Sequence, residues 1–242
     1  LRSSEDYIYK HVLNVAILSA IIAGQMGFPV GRINLLVKSA ILHDIGALKL
    51  QQLPDAEDLD DGTKEVVKKN TQETLAQYGD LDEEVLRLIA QMQELYTRES
   101  DAEIPAGLKE SVNANILYVA DAYDRMTAMK SFEEPTSEVK AVRELLADEE
   151  RYNKKIVNAL IHGISILYPG VCVELSNGEK GLVITENEDN IFEPTVLDFR
   201  NNNLYDLSDP SVKQTVEIAD VMKTMDNRIK LDKSLLEEYQ AN

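Results

Sequence analysis

Cysteine is nearly missing from this sequence, with Cys172 alone among 242 residues. No intrachain disulfide can form, and the usage fits a reducing, cytoplasmic compartment. Positive charge is also short: 25 Lys and Arg stand against 43 Asp and Glu, a formal charge of −18. Such a polyanion repels nucleic-acid backbones, because affinity there comes from Lys and Arg displacing phosphate counterions. No basic stripe overrides the sum, so long nucleic acid and anionic membrane surfaces are disfavoured as partners. A small phosphate ester held by a metal stays open. Long apolar runs are lacking too. The longest, Val12 to Gly24, is interrupted by Asn14 and Ser19 and falls short of the ~20 residues of a membrane span, so no membrane contact is expected of this segment. No signal peptide is visible. The opening Leu1-Arg2-Ser3-Ser4, without an initiator Met, suggests a fragment of a longer chain.

What is present is enough for a large core, with 44% hydrophobic residues. Residues 5–26 read as a helix capped near Ser3 or Ser4 and apolar nearly all round from Val12 to Ile22, the mark of a central helix packed by neighbours. Gly27-Phe28-Pro29 ends it. A second helix is expected from Arg32 to Asp44, with Gly46 as its C-terminal glycine. The acidic stretch 50–63 reads as a loop. Helices follow over 64–78, 82–96, 109–128, 136–148 and 152–167, most preceded by a capping residue, with a loop over 97–108. After Tyr168-Pro169-Gly170 the pattern alternates, and Ser176-Asn177-Gly178 turns a hairpin between Val171–Leu175 and Leu182–Ile184. Short strands are expected over 193–199 and 203–207, and helical patterning returns in VEIADVMKTMD and LLEEYQ. The expected fold class is mostly α: a helical domain over 1–167, a small β subdomain over 168–208 and a helical tail over 209–242.

The chain has three histidines: His11, His43 and His162. His43 is followed by Asp44 at the end of an apolar helix (ILHDIGAL). Adjacent helical residues diverge by about 100°, but at a helix terminus both can turn toward one point in front of it. His11 lies in the central helix, and Asp121 sits deep in another among Ile116, Leu117, Val119 and Ala120. A buried, ionised Asp needs a partner. That partner is either a cation shared with the histidines or Arg125, four residues on. Two imidazoles and two carboxylates suit one divalent Zn, Mn or Fe ion. Asp124, one turn from Asp121, competes for the ligand role. His162, in LIHGIS, is most simply a structural helix residue.

A His, a later His-Asp pair and an Asp in an apolar helix form the pattern of the HD superfamily of metal-dependent phosphohydrolases. The chain more closely resembles the HD-GYP domains, which hydrolyse cyclic di-GMP in bacterial signalling. The resemblance covers residues 5–167. It is carried by ILHDIGALKL, by LDEEVLRLIAQMQE and by NILYVADAYDRMTAMKSF, whose Thr127, Lys130 and Phe132 stand where the family has a Thr and a basic-aromatic segment. It implies an HD-type helical bundle with His11, His43, Asp44 and Asp121 as ligands of one metal, or of none. His43, Asp44 and Lys130 would carry the chemistry, and the ligand would be a small phosphate ester or cyclic dinucleotide. A protein partner or homo-oligomer is also compatible.

The departures from the family are as specific. Its glutamate one turn before the first His is here Tyr7. Its further histidines are Asn70 and Met92-Gln93, its phosphate-directed Lys is Ala47, and the Gly-Tyr-Pro signature is reduced to Pro105, Gly107 and Leu108. Asn70, Met92 and Gln93 are expected to line the same cavity without holding a second metal. The resemblance therefore points to a degenerate domain with little or no cyclic di-GMP hydrolysis. The alternatives are an active one-metal phosphohydrolase on a nucleotide or other phosphate ester, and a metal-free structural or protein-interaction module.

Overall fold

A computed structural model describes residues 4–50, 60–98, 103–128, 135–187 and 190–222. The fold is mostly helical with a small C-terminal antiparallel sheet. The chain divides into two compact units, one of Leu1–Thr136 with Ala141–Ile164, the other of Ser137–Lys140 with Ser165–Asn242.

In the helical unit α1 (Ser4–Gln25) packs against α2 (Val30–Leu42), α6 (Val112–Thr127) and α8 (Lys154–Ile164). Val15, Ala16, Ile22 and Ala23 of α1 are buried, as the all-round apolar pattern requires. Over Tyr7–Gln25 this helix is long and apolar enough, by length and composition, to cross a membrane. That corrects the estimate from Val12–Gly24, which left out the first part of the helix. The helix nevertheless carries His11 and Ser19 into the protein interior. It ends at Gly27, whose φ of 72° lets Phe28 N–H reach back to the Ala23 carbonyl at 2.9 Å, the six-to-one bond of a Schellman cap.

α2 stops at Leu42, and a 3₁₀ turn follows over Ile45–Lys49. His43 and Asp44 form the corner between them. Gly46 is not the left-handed cap expected from sequence. It lies inside the 3₁₀ turn, where a Cβ would collide with the Thr71 nitrogen and the Val67 carbonyl of α3 (Asp61–Leu75). Its N–H donates to Thr71 Oγ1 at 3.0 Å. The glycine thus allows close approach of α3 to the His-Asp corner.

α3 begins three residues earlier than its periodicity suggests, because Asp60 caps it by accepting from Thr63 N–H at 2.7 Å. Asp82 likewise caps α4 (Glu83–Tyr96). A short α5 (Ala106–Lys109) interrupts the loop expected over 97–108, and α7 spans Glu138–Ala147.

The second unit holds β1 (Cys172–Leu175), β2 (Lys180–Thr185), β3 (Thr195–Asp198), β4 (Leu204–Asp206), the short α9 (Pro210–Lys213) and β5 (Ile218–Val221). The sheet order is β4-β3-β2-β1-β5. β1 and β2 pair with Cys172 opposite Leu182, as a hairpin through Ser176–Gly178. Val173, Leu175, Val183, Val196, Leu197 and Ile218 are buried. The expected helix through VEIADV is instead β5, paired antiparallel to β1 with Val173 opposite Val221. An available sheet edge outweighs local helical spacing there. LLEEYQ lies outside the described residues.

Candidate metal centre

Four helical segments bring the site together. The middle of α1 supplies His11 and the corner after α2 supplies His43 and Asp44. The last two turns of α6 supply Asp121, Asp124 and Arg125, and α4 supports them from the side. His11, His43, Asp44, Asp121 and Asp124 are all buried.

The hydrogen bonds fix which imidazole nitrogen is committed. His43 Nδ1 lies 2.6 Å from the Ala40 carbonyl, which can only accept, so Nδ1 carries the proton. His11 Nδ1 lies 2.7 Å from Asp124 Oδ2 and donates in the same way. Asn14 Nδ2 donates to the other oxygen of Asp124 at 2.8 Å. Both Nε2 atoms then converge on one oxygen, Asp121 Oδ1, at 3.0 Å from His11 and 3.2 Å from His43. Lone pairs aimed at one another are favourable when a cation, proton or metal, is shared between them.

His11, His43 and Asp121 form a group whose ligand atoms lie within 4.8 Å of one another. The 3.0 and 3.2 Å edges match the separation of neighbouring ligands around an ion with bonds of about 2.0–2.2 Å. This donor set fits one divalent cation. Asp44 Oδ2 lies 3.9 Å from His11 Nε2, the nearest further carboxylate. Asp124 is not in the cluster. It orients His11 from the opposite nitrogen, as second-sphere carboxylates do for metal-ligating histidines.

Arg125 binds the same carboxylates. Its Nε donates to Asp121 Oδ2 and its Nη2 to Asp44 Oδ2, each at 2.9 Å. The guanidinium lies over the Tyr96 ring, 4.7 Å from the centroid.

Burial works against the ionised Asp121, but Arg125 and the hydrogen bonds from His11 and His43 hold it well below the usual carboxylate range. Asp44 is lowered in the same way, burial again being outweighed by Arg125 and the two histidines. For His11, burial and Arg125 push downward, yet its bonds to Asp121 and Asp124 raise it above the ordinary imidazole value. Burial pushes the Tyr7 phenol up to about 12, Arg125 opposing and three carboxylates assisting. Its ring lies parallel to His11 at 5.8 Å. Tyr7 is a neutral stacking partner where a carboxylate ligand would be charged.

A pH dependence follows. With its pKa raised on folding, His11 contributes stability that is complete below about 6.5 and lost as pH rises through the higher folded value. Asp121 contributes above its ordinary value, and that contribution is lost only in strong acid. Urea denaturation in chelator should show the protein losing stability as pH rises from about 6.5, while its affinity for a divalent cation increases over the same window. An affinity that falls with pH would contradict a raised His11 pKa as the source of both trends.

Among the remaining sequence candidates, Gln93 and Asn70 contact the His-Asp corner. Gln93 Nε2 donates to the His43 carbonyl at 3.0 Å and Asn70 Nδ2 to the Gly46 carbonyl at 3.4 Å, so both amides hold the backbone of the His-Asp corner. Met92 is fully buried in α4. Ala47 packs with Ile8 and Val67 in the core. His162 is exposed, its Nδ1 donating to the Asn158 carbonyl at 2.7 Å. Lys130 and Phe132 lie outside the described residues. Asn14 and Tyr96 were not expected from sequence. Their partners are more than 25 residues away, and neither residue type marks a site by itself.

A helical domain with a buried His/Asp cluster at the corner of an HD dipeptide is a candidate metal-binding domain. Residues 8–126 match the HD domain family, and this part of the chain belongs to the HD superfamily. Among curated relatives, the cyclic di-GMP phosphodiesterase PA4108 of Pseudomonas aeruginosa is 22% identical over 82% of this chain and 49% of its own. The cyclic di-GMP phosphodiesterase PdeB of Borreliella burgdorferi is 24% identical over 88% of this chain and 58% of its own. The chain thus spans about half the length of the curated relatives it matches. The HD domain of the L. monocytogenes phosphodiesterase PgpH, solved with cyclic di-AMP, is 17% identical over 65% of this chain and 90% of its own, with a TM-score of 0.43.

Proposed function

We propose that this chain is a degenerate HD-GYP-type signalling domain of a bacterial cytoplasmic protein, with little or no cyclic di-GMP phosphodiesterase activity. It holds at most one divalent transition metal through His11, His43 and Asp121, with Asp44 in reach. The observation that carries this reading is the convergence of two Nε2 atoms on one Asp121 oxygen, with both Nδ1 atoms committed elsewhere. Among the described residues this is the one group of three or more candidate ligands. Asn70 Nδ2 and Gln93 Nε2 donate to backbone carbonyls, and Ala47 places a methyl group in the core.

When bound, a single cation of this kind supplies Lewis acidity toward a phosphoryl oxygen and lowers the pKa of a coordinated water. His11 and His43 would present Nε2, oriented by Asp124 and by the Ala40 carbonyl. Asp121 would present Oδ1 beside the Arg125 guanidinium, and Lys130, outside the described residues, is the charge that the resemblance offers to a phosphate. A small phosphate ester or cyclic dinucleotide is the ligand class, read out through a protein partner or a second copy.

The complete His11, His43-Asp44, Asp121 set also favours a second reading, an active one-metal phosphohydrolase acting on a different phosphate ester. The test of the metal reading is elemental analysis after loading with Zn²⁺ or Mn²⁺ and desalting. One equivalent per chain, lost in His43→Ala, is expected. Two equivalents would overturn the one-cation reading, and none would favour the metal-free module.

A further inference from the structure

We infer that Arg125 is the resident cation of this centre: its guanidinium ties Asp44 to Asp121 and opposes metal loading, so that a bound metal requires the Asp44–Arg125 bridge to open. The inference rests on the one-cation reading above and concerns how that site is regulated.

Asp44 Oδ2 is the nearest oxygen that would complete a four-ligand set with His11, His43 and Asp121 Oδ1, at 3.9 Å from His11 Nε2. That same oxygen accepts from Arg125 Nη2 at 2.9 Å, and the second oxygen of Asp121 accepts from Arg125 Nε at 2.9 Å. A guanidinium is charged at every accessible pH and presents its donors in a fixed fork. It therefore holds these two carboxylates as a geometric clamp. A divalent ion arriving beside it would meet like charge in a buried setting where screening is weak.

Three features hold Arg125 in place. It is one helical turn beyond Asp121 on α6, so the Asp121 contact is an i, i+4 pair. Its guanidinium rests on the face of Tyr96. Its side chain is only 17% exposed. Without a metal, Arg125 already pairs with both Asp44 and Asp121, while Asp124 is bonded to His11 and Asn14. A purely structural ion pair would stabilise the fold and leave metal affinity alone. A resident cation couples the two, since removing it exposes carboxylates that a metal then satisfies.

The test is a Zn²⁺ competition titration against a chromophoric chelator at pH 7.5, comparing the chain with its Arg125→Met variant. The expected result is at least tenfold tighter Zn²⁺ binding by the variant, together with lower stability without Zn²⁺ and recovery with it. A folded variant that binds Zn²⁺ no more tightly than the parent, while the parent does bind, overturns the inference and leaves the one-cation reading intact. No binding by either protein overturns both. Should the variant not fold without metal, NMR of the Arg125 side-chain N–H groups in the parent decides. Saturating Zn²⁺ is expected to shift these signals and speed their hydrogen exchange, and unchanged signals in Zn²⁺-saturated protein overturn the inference.

Discussion

Asp121→Asn is expected to destabilise the metal-free protein by about 3–5 kcal/mol, the range seen when one partner of a buried ion pair is removed. Asp121 is 0% exposed, and its two oxygens serve three separate elements. Oδ1 faces His11 of α1 and His43 of the corner, and Oδ2 accepts from Arg125. An amide has nearly the same shape but no charge, and its nitrogen turns a donor toward groups that already donate. Arg125 would then be held by Asp44 alone, and His11 would lose part of what raises its pKa. A cap or a surface pair has much smaller effects. Asp61→Asn, at an exposed carboxylate beside Lys64, should cost well under about 1 kcal/mol. Urea denaturation of both variants in chelator checks the contrast. A loss below about 1 kcal/mol for Asp121→Asn would mean that the centre does not depend on its charge.

The helices and the residues of the His/Asp cluster were legible in the sequence for the same reason: both rest on local pattern. α1 announces itself by apolar residues all round, α4 by Asp82 ahead of a periodic run, and the corner by an HD dipeptide closing an apolar helix. Asp121 is conspicuous as a carboxylate in a row of buried aliphatics. Arg125 was visible as an i+4 partner of Asp121, but not as a bridge to Asp44, because that contact joins residues 81 apart. Asn14 and Asp124 acquire their roles only through the packing of α1 on α6. Gly46 looked like a helix terminator, whereas its purpose is set by α3, whose approach no local pattern encodes. β5 was misread for a related reason. Its residues have acceptable helical spacing, and only the free edge of β1 makes a strand the better state.

Cyclic di-GMP hydrolysis should be at least ~10⁴-fold slower than in an enzyme with a complete two-metal centre. Two cations activate the attacking water and neutralise charge developing on the phosphoryl group, each a contribution of several kcal/mol. Every 1.36 kcal/mol is tenfold in rate. Here one three-residue cluster is present among the described residues. The amides of Gln93 and Asn70 are held by backbone carbonyls. Ala47, packed against Ile8 and Val67, offers no charge to a phosphate. Arg125 supplies positive charge but is tied to Asp44 and Asp121. The decisive measurement is turnover of cyclic di-GMP with Mn²⁺ or Fe²⁺ present, alongside His43→Ala and Asp44→Ala. The account predicts a rate below ~0.1 s⁻¹, roughly a hundredfold under a median enzyme, with any residual activity abolished in both variants. A rate above that value, dependent on His43 and Asp44, would contradict it and identify an active phosphodiesterase.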